Sequence, residues 1–395
     1  MNPLISPEND WMLWAVIVGG VALCIHLEQA KAWAARISGP VLVLVGAMLL
    51  SSCKLMPTSA PAYDVVGGFL VPLAIPLLLF RANLRRIWKD TGTMMAAFHV
   101  SVVGTFVGGF LAALIYHDRL ESTPEIAGIM TASYSGGSVN FVAVKNSYEL
   151  SEDIANPLIV ADNFIMAGMF VMLLWMAGSR FFLKRFPHPH TAETDASKSA
   201  SLAAEYWKRK PMGLRDIATA LGVSFAITAV AMGLSDLIKS KFDSQIAQAF
   251  LGNVYVLITA ITVTITTLWH DKIMKIHGAE EIGMYLLYLF FFVIGLSADL
   301  WQVIFNMPDL FGFCLVMAAT NLVVTLGLGR LFKLPLEELL VSVNATLGGP
   351  PSAAAIAIAK GWSALVLPGL LVGIWGYVIG TTLGIVMAES VMRIW

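Results

Sequence analysis

The chain has 395 residues, 57% hydrophobic and only 13% charged, with a formal net charge of −1. Soluble domains carry about a quarter charged residues, so this composition excludes a water-soluble globule, and the near-neutral charge excludes an electrostatic nucleic-acid binder. Cys24, Cys53 and Cys314 fall in or at the ends of apolar runs, too scattered for a disulfide framework or a metal site.

A run of ~20 apolar residues spans a ~30 Å hydrocarbon core as a helix. The first run follows Glu8-Asn9-Asp10 without a basic n-region, so it reads as a retained helix and not a cleaved signal. Twelve spans are predicted, at 11–28, 36–53, 61–80, 92–116, 124–147 and 154–179, then 215–238, 247–269, 282–303, 309–330, 336–359 and 363–390. They divide the chain into segments 1–90, 91–180, 213–305 and 306–395, with a solvated linker at 181–212 that carries His188, His190 and Lys208-Arg209-Lys210.

Lys and Arg in short loops mark the cytoplasmic side. Arg81, Arg85, Arg86 and Lys89 place the third loop there, as do the basic linker and Arg330 with Lys333. The loop at 301–310 has an aspartate and no basic residue, and is expected to face outward. One conflict arises: three spans separate the Arg85 loop from the linker, yet two cytoplasmic loops require an even number of crossings. Either one segment is re-entrant or the count is wrong by one.

The halves look related. Gly136, Gly137 and Gly168 recur 212 positions later as Gly348, Gly349 and Gly380, and Ala82-Asn83-Leu84 is answered by Ala298-Asp299-Leu300. The matching loops carry opposite charge bias, as two repeats of inverted topology would.

Two segments carry the sharpest signal. In Asn344–Ala359, Gly348-Gly349 ends one half-helix and Pro350-Pro351 opens another. In Ala132–Val144, Gly136-Gly137 is followed by Ser138, a good N-cap. Backbone groups freed by such breaks must be buried in protein or line a polar cavity. Two half-helix N-termini near the midplane would suit an anionic group such as a carboxylate. The expected anion ligands are the breaks themselves (Ser135, Gly136, Gly137, Gly348, Gly349, Pro350, Ser352) with Asn344, Thr346, Tyr377 and Thr381.

Asp162-Asn163 interrupts an apolar span, and an acid at that depth costs roughly 2.5–3.5 kcal/mol to insert. Asn140 lies eleven residues before Ser151 and Asp162 eleven after it, so the two are expected at one depth. Asp162, Asn163, Asn140 and Ser138 are the expected ligands of a monovalent cation, Na⁺, or of a proton held on Asp162. The second repeat has Ile374-Trp375 at the matching positions, so the site is expected to be asymmetric. His99 and Asn321 are weaker polar candidates. No HExxH, GxSxG or clustered His/Glu set appears, so no enzyme and no cofactor beyond the coupling ion are expected.

YSGGSVNFVAV followed by ADN, and NATLGGPPSAAAIA followed by LPGLLVGIWGYVIGTTLG, resemble the YjcL-like integral membrane proteins, a family of largely unknown function. The resemblance covers nearly the whole chain. More distantly, the layout is similar to the superfamily of cation/proton antiporters, bile-acid sodium symporters and sodium/glutamate symporters. That likeness implies an all-α polytopic protein with two inverted repeats and two crossed discontinuous helices. It also implies a core of spans 4–6 and 10–12, a panel of spans 1–3 and 7–9 that forms a homodimer, and elevator-type motion in a bacterial inner membrane. Asp162-Asn163 matches the acidic pair of the antiporter branch, and Ser138 and Asn140 match polar positions of the symporter branch. No acid lies between Asn344 and Ile358, and no lysine lies in the last two spans beyond Lys360, which leaves the coupling mode open. The expected activity is Na⁺- or H⁺-coupled symport of a small organic anion, with monovalent cation/proton antiport as the alternative and a membrane-embedded enzyme or receptor as a third reading ranked below both.

Overall fold

A computed structural model of the chain describes residues 3–31, 39–191, 212–241, 251–297 and 308–394. The described residues are helical, and each predicted span contains a helix. The basic cluster of the linker, Ala298-Asp299-Leu300 and most of the loop after them lie outside the described residues.

The first half contains α1 (Asp10–Ala30), α2 (Gly39–Ser52), α3 (Pro61–Leu79, with a π turn at Val66–Leu70), the short α4 (Leu84–Asp90) and α5 (Thr93–Tyr116). It continues with α6 (Thr123–Gly136), α7 (Ser138–Ser147), α8 (Glu152–Gly178) and the single-turn α9 (Arg180–Leu183). The second half holds α10 (Leu214–Lys241), α11 (Val254–Leu268), the single-turn α12 (His270–Ile273), α13 (Ala279–Ser297), α14 (Pro308–Leu331), α15 (Leu336–Ala359) and α16 (Ser363–Met392). Among the described residues, nine helices are long and apolar enough to cross a membrane, and Leu42–Ser52 and Val254–Leu268 are shorter apolar helices.

Packing sorts the helices into two groups. In one, α13 lies on α2 and α3, α10 and α11 also pack on α3, and α1 covers α2 and α13. In the other, α5 packs on α14, α16 takes α6 and α15, and α8 leans on α14 and α15. Small residues permit these close approaches. A methyl at Gly104 would lie 2.9 Å from Asn321 Cα, which sets the α5–α14 crossing, and one at Gly295 would lie 2.8 Å from Ala47 Cβ, which seats α13 on α2.

The two glycine-broken segments do not continue across the membrane. A methyl built on Gly384 of α16 meets Gly128 O, Ala132 Cβ and Val144 Cγ2 within 3.0 Å. Gly128 and Val144 therefore approach within about 6 Å, whereas sixteen residues of continuous helix would separate them by about 24 Å. So α6 and α7 form a helical hairpin with Gly136-Gly137 at its tip. The segment α15 does the same. Asn344 Nδ2 donates to Ser352 O at 2.5 Å and Ser352 Oγ donates to Asn344 O at 3.0 Å, although eight helical residues span about 12 Å. The length of α15 qualifies it as a span, but these contacts fold it back at Gly349. The expectation of two crossed discontinuous helices is thus corrected: each is re-entrant. Glycine at positive φ with ψ near 180° permits the reversal, and the packing of both arms of each hairpin against α16 fixes it.

Re-entry removes the conflict over crossings. Between the Arg85 loop and the linker only α5 and α8 cross. The contacts agree. At one end lie the Arg81–Glu280 ion pair (2.9 Å), the bond from Leu84 N to Thr267 Oγ1 (3.2 Å), and that from Leu336 N to Pro187 O (2.8 Å). At the other lie Arg119–Asp309 (3.6 Å), Asn253 Nδ2 to Ser147 Oγ (2.8 Å) and Tyr148 Oη to Glu389 Oε1 (3.1 Å). Cysteines at the exposed positions Glu121 and Glu149, which flank the first hairpin, are expected to react with an impermeant maleimide from the same face of right-side-out vesicles. Labelling from opposite faces would restore a crossing helix.

Candidate functional site at the hairpin tips

The tips meet. Gly137 has φ 91° and ψ 179°, and Gly349 has φ 72° and ψ −167°, a region open essentially to glycine alone. A methyl at Gly137 would lie 3.3 Å from Gly349 Cα, and one at Gly349 would lie 3.3 Å from Gly136 O. Ser138 is the first helical residue of α7 and Gly137 its N-cap, which corrects the expectation that Ser138 caps the half-helix. The prediction that Gly348-Gly349 ends one half-helix and Pro350 opens the next matches the backbone.

A glycine row on α16 holds both tips. Methyls at Gly373 and Gly376 would come within 2.6 Å of Pro350 Cα and 2.7 Å of Ser135 O. Asn140, buried, faces the same helix: its Nδ2 donates to Gly376 O (3.2 Å), and Thr381 Oγ1 donates to its Oδ1 (2.9 Å). Asn140 and Thr381, predicted on opposite sides of a divided site, are therefore direct partners.

Asp162 is 3% exposed. Its Oδ2 accepts from Ser133 Oγ at 2.7 Å, while Oδ1 has no hydrogen bond. Tyr134 and Cys314 border the carboxylate, and neither the Tyr134 hydroxyl nor the Ser135 hydroxyl has a well-formed hydrogen bond. One turn along α8, Met166 Sδ would touch a methyl at Gly348. The acid thus sits beside both tips. Asn163 donates to Ile159 O of its own helix (2.7 Å), and no described hydrogen bond joins Asp162 to Asn163, Asn140 or Ser138.

On the second hairpin, Asn344 and Ser352 brace the two arms across the tip, and Ser352 Oγ also lies 3.0 Å from Gly349 O. Thr346 Oγ1 is 2.9 Å from Ser101 Oγ. Asn321 Nδ2 extends this chain, donating to Ser101 O (2.8 Å) and Thr105 Oγ1 (2.8 Å), and Thr105 Oγ1 donates to Tyr134 O (2.6 Å). A fully buried polar line therefore runs from one hairpin to the other through the α5–α14 crossing. Sequence reasoning missed Ser101, Thr105, Ser133 and Tyr134, because lone hydroxyls in apolar helices commonly bond their own backbone. Ser133 was findable, since it lies one turn before Gly137. His99 is a packing histidine: Nδ1 donates to Met95 O (2.8 Å), and Nε2 accepts from Trp375 Nε1 (3.3 Å).

A cleft of about 190 Å³ runs between the two helix groups to the second tip. Pro350, Pro351 and Tyr377 form its inner wall, and Arg81, Arg86, His270 and Glu280 are its polar residues on the other side. The arginines entered the sequence reading only as topology markers.

Residues 15–394 match the family described as "Protein of unknown function (DUF819)". The chain is 41% identical over 390 residues, 98% of each chain, to a Bacillus subtilis (strain 168) protein described as "Uncharacterized membrane protein YjcL". With its long apolar helices, this chain is a multi-pass membrane protein and belongs to the DUF819 family.

Proposed function

We propose that the protein is an elevator-type secondary transporter that couples Na⁺ or H⁺ to symport of a small organic anion. The observation that carries this reading is the meeting of two re-entrant tips beside a buried acid, one of whose carboxylate oxygens has no well-formed hydrogen bond. Paired hairpins entering from opposite ends are what two inverted repeats would produce. In this reading 91–180 and 306–395 form the moving core. The panel is 1–90 with 213–305, which carries the homodimer contact, and 181–212 tethers the halves. Asp162 takes the cation, with Ser133 and Tyr134 replacing Asn163, Asn140 and Ser138 beside it. The half-helix N-terminus at Pro350–Ser352 and Tyr377 face the anion.

Contacts at the two ends support a state open on one side. At the Arg81 end the cleft separates the groups. At the opposite end Asn146 Nδ2 donates to Tyr255 Oη (3.0 Å) and Asn253 Nδ2 to Ser147 Oγ, so the first hairpin is fastened to α11. By the positive-inside rule the open end faces the cytoplasm.

Monovalent cation/proton antiport is the second reading. It is favoured by the absence of Asp162 from the residues lining the cleft, since its cage needs no organic ligand. A melting screen of purified protein with organic acids separates the two. Symport predicts stabilisation by an acid that grows with Na⁺ or with acidification. Exchange of Na⁺ for protons in proteoliposomes with no acid effect would favour antiport.

A further inference from the structure

The cleft constrains the anion more tightly than the hairpins do. Its core-side wall is Pro350, Pro351, Leu370, Leu371 and Ile374, with the Tyr377 hydroxyl as its single polar side-chain group. Across from this wall, Met274, Met284 and Leu78 continue the apolar surface. The charged groups of the lining are Arg81 and Arg86 against Glu280. Glu280 neutralises Arg81 at 2.9 Å, while Arg86 pairs with Asp90, which lies outside the lining. Both arginines are thus paired, and with His270 and Glu280 they sit at helix ends on the Arg81 side. The stretch of cleft that reaches the second tip offers the Tyr377 hydroxyl and little else that could replace the water around hydroxyls or a second carboxylate. Desolvating such groups without partners is unfavourable, whereas each methylene laid on the apolar wall adds ~0.8 kcal/mol.

Resting on the symport reading above, we infer that the substrate is a monoanion with a compact apolar body, a short-chain or branched aliphatic monocarboxylate, and not a sugar acid or a di- or tricarboxylate. Ile374 then has a role its repeat mate Asp162 cannot have: it supplies apolar contact where the other repeat supplies charge.

The test is a binding series on the full-length protein in nanodiscs, with and without Na⁺ and at two pH values. The probes are acetate, propionate, butyrate, 3-methylbutyrate, succinate, citrate and gluconate, with 3-methylbutyramide as the uncharged control. Affinity is expected to rise about fourfold per methylene from acetate to butyrate, with the amide, citrate and gluconate at least tenfold weaker than 3-methylbutyrate. Ile374→Ala is expected to flatten the series and Arg86→Gln to narrow the gap between acid and amide. Both positions are read against melting of the unliganded variants to exclude misfolding. A flat or falling series, or preference for succinate, citrate or gluconate, overturns the inference and leaves coupled symport standing if that binding depends on Na⁺ or pH. The predicted series without any cation dependence upholds the inference and overturns coupling. No binding by any acid overturns both.

Discussion

Asp162→Asn is expected to remove cation dependence altogether: acid binding and uptake by the variant no longer respond to Na⁺ or to pH, and accumulation against a gradient falls at least tenfold. The substitution keeps side-chain size and keeps an oxygen for the Ser133 hydroxyl, so the helix packing around α8 is retained. What disappears is the charge, in a site where Ser133 bonds Oδ2, Oδ1 has no well-formed hydrogen bond and the Tyr134 hydroxyl lies alongside. In the proposed reading an ion or proton there supplies what the fold leaves out, because a buried carboxylate with one well-formed hydrogen bond is strongly unfavourable. The variant should therefore melt no lower than the parent, while the parent alone gains stability from Na⁺ or acid. Counterflow assays with preloaded proteoliposomes check the transport half. Unchanged coupling in Asp162→Asn would remove this residue from the mechanism.

The second large effect is expected at the tips. Gly349→Ala places a methyl 3.2 Å from the Tyr377 ring and 3.3 Å from Gly136 O, at φ 72°. The backbone conformation alone costs about 1–3 kcal/mol for a residue with a β-carbon, and the two tips must then separate. Gly137→Ala, at φ 91° against Gly349, should behave alike. Each is expected to lower the melting temperature by several degrees and to abolish uptake. Gly168→Ala is the control, since a methyl there meets nothing within 4 Å and helical glycine is replaced by a better helix former. Equal behaviour of all three variants would show that tip geometry is not what the glycines preserve.

The twelve apolar runs and both glycine breaks were legible in the sequence because they rest on length and on local backbone chemistry. Depth was legible as well: counting from Ser151 predicted Asp162 near the first tip, and Met166, one turn on, touches the second. What could not be read was direction after each break. Gly-Gly permits a kink or a reversal, and the choice belongs to α16, whose Gly373, Gly376, Gly380 and Gly384 receive both arms. The charge pattern nevertheless held the answer as an odd count of crossings between two basic loops. Side-chain partners were the least legible. Asn140 turned to Thr381 and Gly376, and Ser133 took the place beside Asp162, because partner choice is set by which helix faces lie opposite, a matter of tertiary packing.

The cleft that reaches Pro350 also has an electrical meaning. In the transporter reading, water filling it would carry the potential of the Arg81 side inward to the second tip, and the membrane voltage would then fall mainly across the first hairpin and the layer around Asp162. A charge carried through that thin layer experiences most of the field, worth ~2.3 kcal/mol per elementary charge per 100 mV. A displacement of a few ångströms past two glycines would then do electrical work comparable to moving an ion across the whole bilayer.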